Sequence, residues 1–250
     1  DLISPLSRID APYFMNIRDW GIVDWPLEQR RCPIFIFDCH DGERFLFSPD
    51  ASFEPMREET NVDQFVHPGY QILRDFRDQD ITHRAIRPTN IFRGGSEQGR
   101  FTLGECVTAA PAIAQSFIFE SIQSCLCMAA GRGPGSLLDD TYAIGVTILT
   151  LLTGQVPCQG MSDEEVLKAK LSKGSCAALA QQARITLTVM EALRGLLNDD
   201  PQERWTLEDL GMWANGRRGS PIQQAVESRA ARSYSFMNKD HYTCRELAQT

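Results

Sequence analysis

Little in this chain is arranged to hold a metal through sulfur and nitrogen. Its four histidines, at 40, 67, 83 and 241, and its eight cysteines contain no Cys-x-x-Cys pair, and the two nearest thiols are Cys125 and Cys127. Zinc sites are built from close ligand pairs separated by a longer loop, so no such site is expected. The cysteines read as reduced thiols of a cytoplasmic protein, a compartment where disulfides are rare. An excess of basic residues is missing too. The net charge is −8, whereas a nucleic-acid module shows a basic face, so no nucleic-acid partner is expected. Long apolar runs are also absent. The most apolar stretch, Ala143 to Leu152, is too short and too rich in threonine to cross a bilayer. No secretory-type leader is visible at the start, and no membrane insertion by this chain is expected. What remains is an ordinary globular composition, 42% hydrophobic and 23% charged over 250 residues. That is enough for one substantial core or two modest ones, and it argues against global disorder.

The chemistry-bearing residues gather in Ile81-Thr-His-Arg-Ala-Ile-Arg-Pro-Thr-Asn-Ile-Phe92. This run resembles the catalytic loop of eukaryotic-type protein kinases, His-Arg-Asp-x-x-x-x-Asn. There the aspartate accepts the substrate hydroxyl proton and the asparagine holds magnesium. His83, Arg84 and Asn90 keep their relative places, and Arg87-Pro88 resembles the usual Lys-Pro. Ala85 occupies the position of the base. A methyl group can neither accept a proton nor orient a hydroxyl, so no residue of this chain is assigned a catalytic role.

Three later stretches agree with the resemblance. Phe101-Thr-Leu-Gly-Glu-Cys-Val107 lies where Asp-Phe-Gly is due, with Glu105 in the place of the metal-binding aspartate, Cys106 for the phenylalanine and Val107 for the glycine. Glutamate offers oxygen to a hard cation, but its extra methylene moves the carboxylate. Valine also removes the backbone freedom that glycine gives the turn. Leu138 to Pro157 is similar to the central buried helix of the kinase C-lobe, and Leu196 to Thr206 to its late Asp-Pro-x-x-Arg run. The resemblance implies an α+β, protein-kinase-like fold: a mainly α-helical C-lobe with a truncated N-lobe remnant of short β-strands.

No Gly-x-Gly-x-x-Gly and no Val-Ala-Ile-Lys strand precede the loop. The expected organisation is an N-lobe remnant and hinge over 1–42, with a strand at Pro33 to Asp38 and a turn at Cys39 to Gly42. A C-lobe over 43–216, a linker over 217–232 and a second small module or C-terminal extension over 233–250 should follow. Within the C-lobe, Val62, Phe65, Val66, Tyr70, Leu73 and Phe76 mark a helix from Asn61 to Asp78. Ser162 and Glu165 have the spacing of a capping box. Ala178 to Leu197 carries apolar residues at helical spacing, and Thr206 to Asp209 opens a last helix that Gly216 ends. Tyr234 to Tyr242 alternates like a strand, and 243–250 like the start of a helix.

The resemblance gives His83, Arg84, Asp140 and Arg204 bracing roles. Asp140 holds the loop backbone, and Arg204 turns to Glu120 or Gln123 in place of the glutamate it pairs with in the family. Asn90 and Glu105 are the candidate metal residues. The segment 109–115 is small and apolar, and control by its phosphorylation is not supported. The implied function is a catalytically inactive pseudokinase, a scaffold or regulatory module with a protein partner and no cofactor. The alternative is an atypical phosphotransferase that uses ATP and Mg²⁺ through Glu105 and Asn90, with a nucleotide clamp supplied upstream.

Overall fold

The computed structural model describes residues 3–27, 29–39, 42–94, 99–107, 115–128, 133–181 and 183–216. Two compact units divide the chain at Ala214 and Asn215. The linker at 217–232 and the module at 233–250, with its strand and helix, lie outside the described residues, as do 109–114.

The first unit opens with a short helix α1 (Ile3–Leu6) and then a hairpin, β1 (Ile17–Trp25) antiparallel to β2 (Arg30–Phe37), with a register shift between Ile17 and Asp19. The strand expected at Pro33 thus begins at Arg30. Its partner β1 carries Trp20, Ile22, Val23 and Trp25 at positions that remain substantially exposed. A second sheet is formed by β3 (Glu43–Arg44), β4 (Ile91–Arg93) and β5 (Phe101–Leu103), in that order and antiparallel. The loop before β1 is tied to it, because Met15 N–H donates to Leu103 O and Leu103 N–H to Tyr13 O.

The helix leading to the 81–92 run starts a turn earlier than the periodicity suggests. It comprises α2 (Glu58–Asn61), a wide π turn over Val62–Val66, and α3 (His67–Asp78). Pro68 lies just past the π turn. A proline inside a helix has no N–H to donate and crowds the preceding turn, and the widened turn relieves that crowding. Next come α4 (Ile122–Leu126) and α5 (Leu137–Thr153).

Every residue of α5 from Asp140 to Leu152 is buried. An all-round apolar helix can only be central. Its threonines return their hydroxyls to the helix backbone, Thr147 to Ala143 O and Thr150 to Val146 O, so burial leaves them paired. Around α5 pack α6 (Asp163–Lys173), α7 (Ser175–Leu179), α8 (Leu187–Leu196) and α9 (Leu207–Ala214). Ser162 and Glu165 form the reciprocal capping box of α6, and Thr206 and Asp209 exchange the same bonds at α9.

The apolar stretch from Ala178 to Leu197 is not one helix. It breaks after Leu179 and restarts at Leu187, where the Thr186 side chain accepts from Val189 N–H. Thr186 is fixed in turn by the Glu58 carboxylate, which accepts from both its N–H and its hydroxyl. A good N-cap held by a distant carboxylate outweighs local periodicity.

Candidate functional site

The loop from Ile81 to Asn90 runs between α3 and β4, directly beneath α5. His83 sits between Phe14 and Phe76, stacked on the latter at 5.7 Å between ring centres. Its Nε2 lies 2.9 Å from Gly104 O, and Ala85 N–H points to its Nδ1 at 3.2 Å. A carbonyl only accepts and a backbone N–H only donates, so the neutral tautomer with the proton on Nε2 satisfies both. A second proton on Nδ1 would face the Ala85 N–H. Burial pushes the imidazole down to about 4, against the Gly104 bond that favours charge.

A pH effect follows. Between the ordinary histidine value and about 4 the unfolded chain binds a proton that folded His83 refuses, so this contribution to stability is lost as pH falls through that window. Asp140 acts with the opposite sign. Burial raises its carboxyl to about 7 against its backbone hydrogen bonds, so its contribution is present in acid and lost as pH rises. The two windows overlap, and a melting curve would not separate them. The His83 ring signal does. In an NMR titration it should stay neutral down to about pH 5, and a midpoint near the ordinary histidine value would refute this reading.

Asp140, 1% exposed, accepts from the backbone N–H groups of His83 at 2.7 Å and Arg84 at 2.8 Å. One carboxylate at the start of α5 thereby fixes the turn at 83–84. Arg84 has φ of 58°, the left-handed region that non-glycine residues rarely adopt. Its guanidinium reaches Glu120 at 3.1 and 3.2 Å and Asp139 at 3.6 Å, and both Arg84 and Glu120 are buried. Gly135 makes room for it: with φ of +77°, a Cβ there would stand 2.1 Å from Arg84 Nη1.

Glu120 also accepts from Gln115 Nε2 at 3.2 Å, and Gln115 Oε1 accepts from Arg87 Nη1 at 3.1 Å. The chain Arg84–Glu120–Gln115–Arg87 ties residues 115–120 to the 81–90 loop. Ala85 and Ile86, between the two arginines, have no exposed surface.

Asn90 and Glu105, the candidate metal residues, are brought together but turned inward. Asn90 Nδ2 donates to Ala85 O at 3.0 Å and to Glu105 O at 2.9 Å. Its Oδ1 lies against Gly104, where a Cβ would approach to 2.1 Å. The Glu105 carboxylate turns back to accept from Val107 N–H at 2.7 Å. Both side chains therefore serve the local backbone, the common role of an asparagine at a loop end. These bonds commit the Asn90 amide hydrogens and one Glu105 carboxylate oxygen to local backbone, whereas a magnesium site would be built from the Asn90 and Glu105 side-chain oxygens aimed at one point. Among the described residues no three His, Cys, Asp or Glu side chains converge on a metal position.

Arg204 bonds Gln123 Oε1 at 3.3 Å and Asn198 O at 2.8 Å, and lies 5.3 Å from the centre of the Tyr142 ring. Of its two expected partners it takes Gln123, because Glu120 is committed to Arg84. Sequence reasoning passed over Gln115, Lys170, Gly104 and Gly135. For Lys170 a signal existed, since it follows Val166 by one helical turn and both are buried.

No family model and no curated protein matches the chain. Solved structures do. A crystal structure of the protein kinase Rad53, residues 1–466, in complex with AMP-PNP superimposes with a TM-score of 0.66 at 15% identity. The match covers 85% of this chain and 53% of that one, so the chain spans about half that length. At this identity the likeness carries the fold alone. The chain has a protein-kinase-like, mixed α/β fold. Among the described residues no helix is long and apolar enough to cross a membrane.

Proposed function

We propose that this chain is a pseudokinase domain. In this reading a helical C-lobe and an N-lobe remnant act as a protein-binding scaffold or regulatory module in the cytoplasm, with no cofactor and no phosphoryl transfer. The observation that carries the reading is the inward use of the site. The base position is a buried alanine, and Asn90 gives both of its amide hydrogens to protein carbonyls. Arg87 is engaged by Gln115, and Glu105 caps its own turn. Phosphoryl transfer depends on positioning and charge neutralisation rather than on covalent help from the protein. A site whose polar groups already serve the backbone has little left to offer a nucleotide.

The test is phosphoryl transfer from ATP with Mg²⁺ by the purified chain, alone and as Ala85→Asp. Loss of a general base is typically worth about 10²–10⁴ in rate. If Ala85 were the sole defect, the substitution would raise turnover by that factor. We expect no turnover from either protein. Turnover that appears with Ala85→Asp, or that is present in the parent and abolished by Glu105→Ala, would favour the atypical phosphotransferase.

A further inference from the structure

Strand β1 leaves one edge open. It pairs with β2, and among the described residues no strand lies along its other side. Two strands alone are marginal in water, and a third strand or a covering element normally stabilises such a hairpin. The open strand is also apolar at its surface: Ile22 is 63% exposed, and Trp20, Val23 and Trp25 are exposed as well. Natural edges are blunted by proline, by a bulge or by charge. β2 carries such a device, since Pro33 lies inside it and has no N–H to give. β1 has no proline, and its register shift falls at its start, between Ile17 and Asp19. The stretch from Asp19 to Trp25 is therefore left for pairing, with Gly21 in its middle facing open space.

Charge selects what can lie there. Asp19 and Asp24 flank the apolar positions Trp20 and Ile22, and the Asp24 side chain is 91% exposed. Arg31 stands 3.9 Å from Asp24, but this pair lies in water and holds it weakly. Arg18, the cation of β1, is bonded to Asp38 and Asp10. A second copy of the strand fits poorly. Each chain carries a net charge of −8, and antiparallel self-pairing centred between Gly21 and Ile22 sets Asp19 against Asp24 twice. Centred on Gly21, it would rely on Arg18, which Asp38 and Asp10 already hold.

We propose that the open edge of β1 is a docking site for an extended basic segment of a partner protein, which adds antiparallel to Asp19–Trp25 as a third strand. Backbone pairing holds the segment, and side chains on alternate positions select it. Trp20 and Ile22 lie opposite Phe35 and Pro33 of β2, so aliphatic residues on the segment extend two apolar rows across three strands. A lysine or arginine lies opposite each of Asp19 and Asp24. The segment then reads basic-x-aliphatic-x-aliphatic-basic. The inference gives the protein-binding reading a partner class and rests on that reading, while peptide binding and phosphoryl transfer are measured apart.

The test is fluorescence anisotropy of a labelled peptide of this pattern, titrated with the purified chain. Saturable binding in the micromolar range is expected, since one added strand makes an interface at the small end of the specific ones. Exchanging both basic residues of the peptide for glutamate should weaken binding about tenfold or more, and so should Asp19→Lys with Asp24→Lys in the chain. The two altered partners together should recover the affinity. Melting curves check that the chain variant is folded. N-methylation supplies a readout that charge alone would not move. Methyl groups on those alternate amides that face β1 should abolish binding, and methyl groups on the other set should leave it nearly unchanged. Absence of binding up to millimolar peptide, equal effects of the two methylated sets, or a loss that the charge exchange does not recover would overturn the proposal. Dimerisation of the chain in sedimentation equilibrium that Ile22→Lys abolishes would give the edge to a second copy and overturn it as well.

Discussion

Asp140→Ala should lower the stability of the domain by about 2–5 kcal/mol, the usual cost of breaking a buried polar network. For a domain of this size that corresponds to a drop in Tm of roughly 5–15 °C. The reason lies in what the carboxylate leaves behind. The backbone N–H groups of His83 and Arg84 each donate to one of its oxygens, and both lie at the base of the molecule's most buried helix. With alanine in place, water cannot replace the lost acceptor, and each orphaned donor bears its own desolvation cost. The damage extends further, because Arg84 is held at φ of 58° by this bond and by its pairing with Glu120. A left-handed backbone at a non-glycine residue persists only where its surroundings over-determine it. Asp140→Asn should lie between the two proteins, since its amide oxygen can accept from one N–H while its NH₂ confronts the other. Asp139→Ala is the neighbouring control, for that residue is partly exposed and stands 3.6 Å from Arg84. Thermal and denaturant unfolding compare the four proteins, and equal stability of parent and Asp140→Ala would contradict the role given to this carboxylate.

How far the sequence revealed this arrangement differs from element to element. The buried helix α5 was legible because a near-continuous apolar run has only one physical solution in water. The 81–92 loop was legible through its motif, and Asp140 through its place in a second motif. The capping box at Ser162 and the helix start at Thr206 were legible because the capping partners lie within four residues of each other. What escaped was set by long-range contact. The break between α7 and α8 depends on Glu58, far away in the chain, reaching Thr186. The hairpin strand β1 was hidden because Asp19 and Asp24 interrupt its apolar residues and no clean alternation results. The π turn before Pro68 replaces a regular helix that periodicity alone would continue. At the site, the sequence placed Asn90 and Glu105 near each other but could not say which way they point. Their inward turn is decided by carbonyls at 85 and 105 and by the N–H at 107, which no spacing rule encodes. Glu120 was noticed, but its partner proved to be Arg84, and Arg204 bonds Gln123.

The second large effect expected is an absence of nucleotide affinity. A kinase-type site binds ATP with metal ions bridging its phosphates, a lysine on a neighbouring strand and a glycine-rich roof. Here Asn90 spends its amide hydrogens and Glu105 one carboxylate oxygen on local backbone, and Val107 stiffens the turn beside Glu105. Arg87, a cation of the same loop, is drawn to Gln115. To recruit these groups, a nucleotide would have to break hydrogen bonds that are part-buried at Glu105 and Arg87 and buried between Asn90 and Ala85 O. Each costs about 0.5–1.5 kcal/mol net, and more where a charged group is left unpaired. Four such bonds come to about 2–6 kcal/mol, a large part of the roughly 8 kcal/mol of affinity that a micromolar ligand has. Calorimetric and thermal-shift titration of the purified chain with ATP and Mg²⁺ tests this absence most directly. A ligand that binds only the folded state must raise its stability by mass action. We expect no heat of binding and no shift in Tm up to millimolar nucleotide, with the parent, Asn90→Ala and Glu105→Ala indistinguishable. A saturable, Mg²⁺-dependent rise in Tm that Asn90→Ala or Glu105→Ala abolishes would contradict the account.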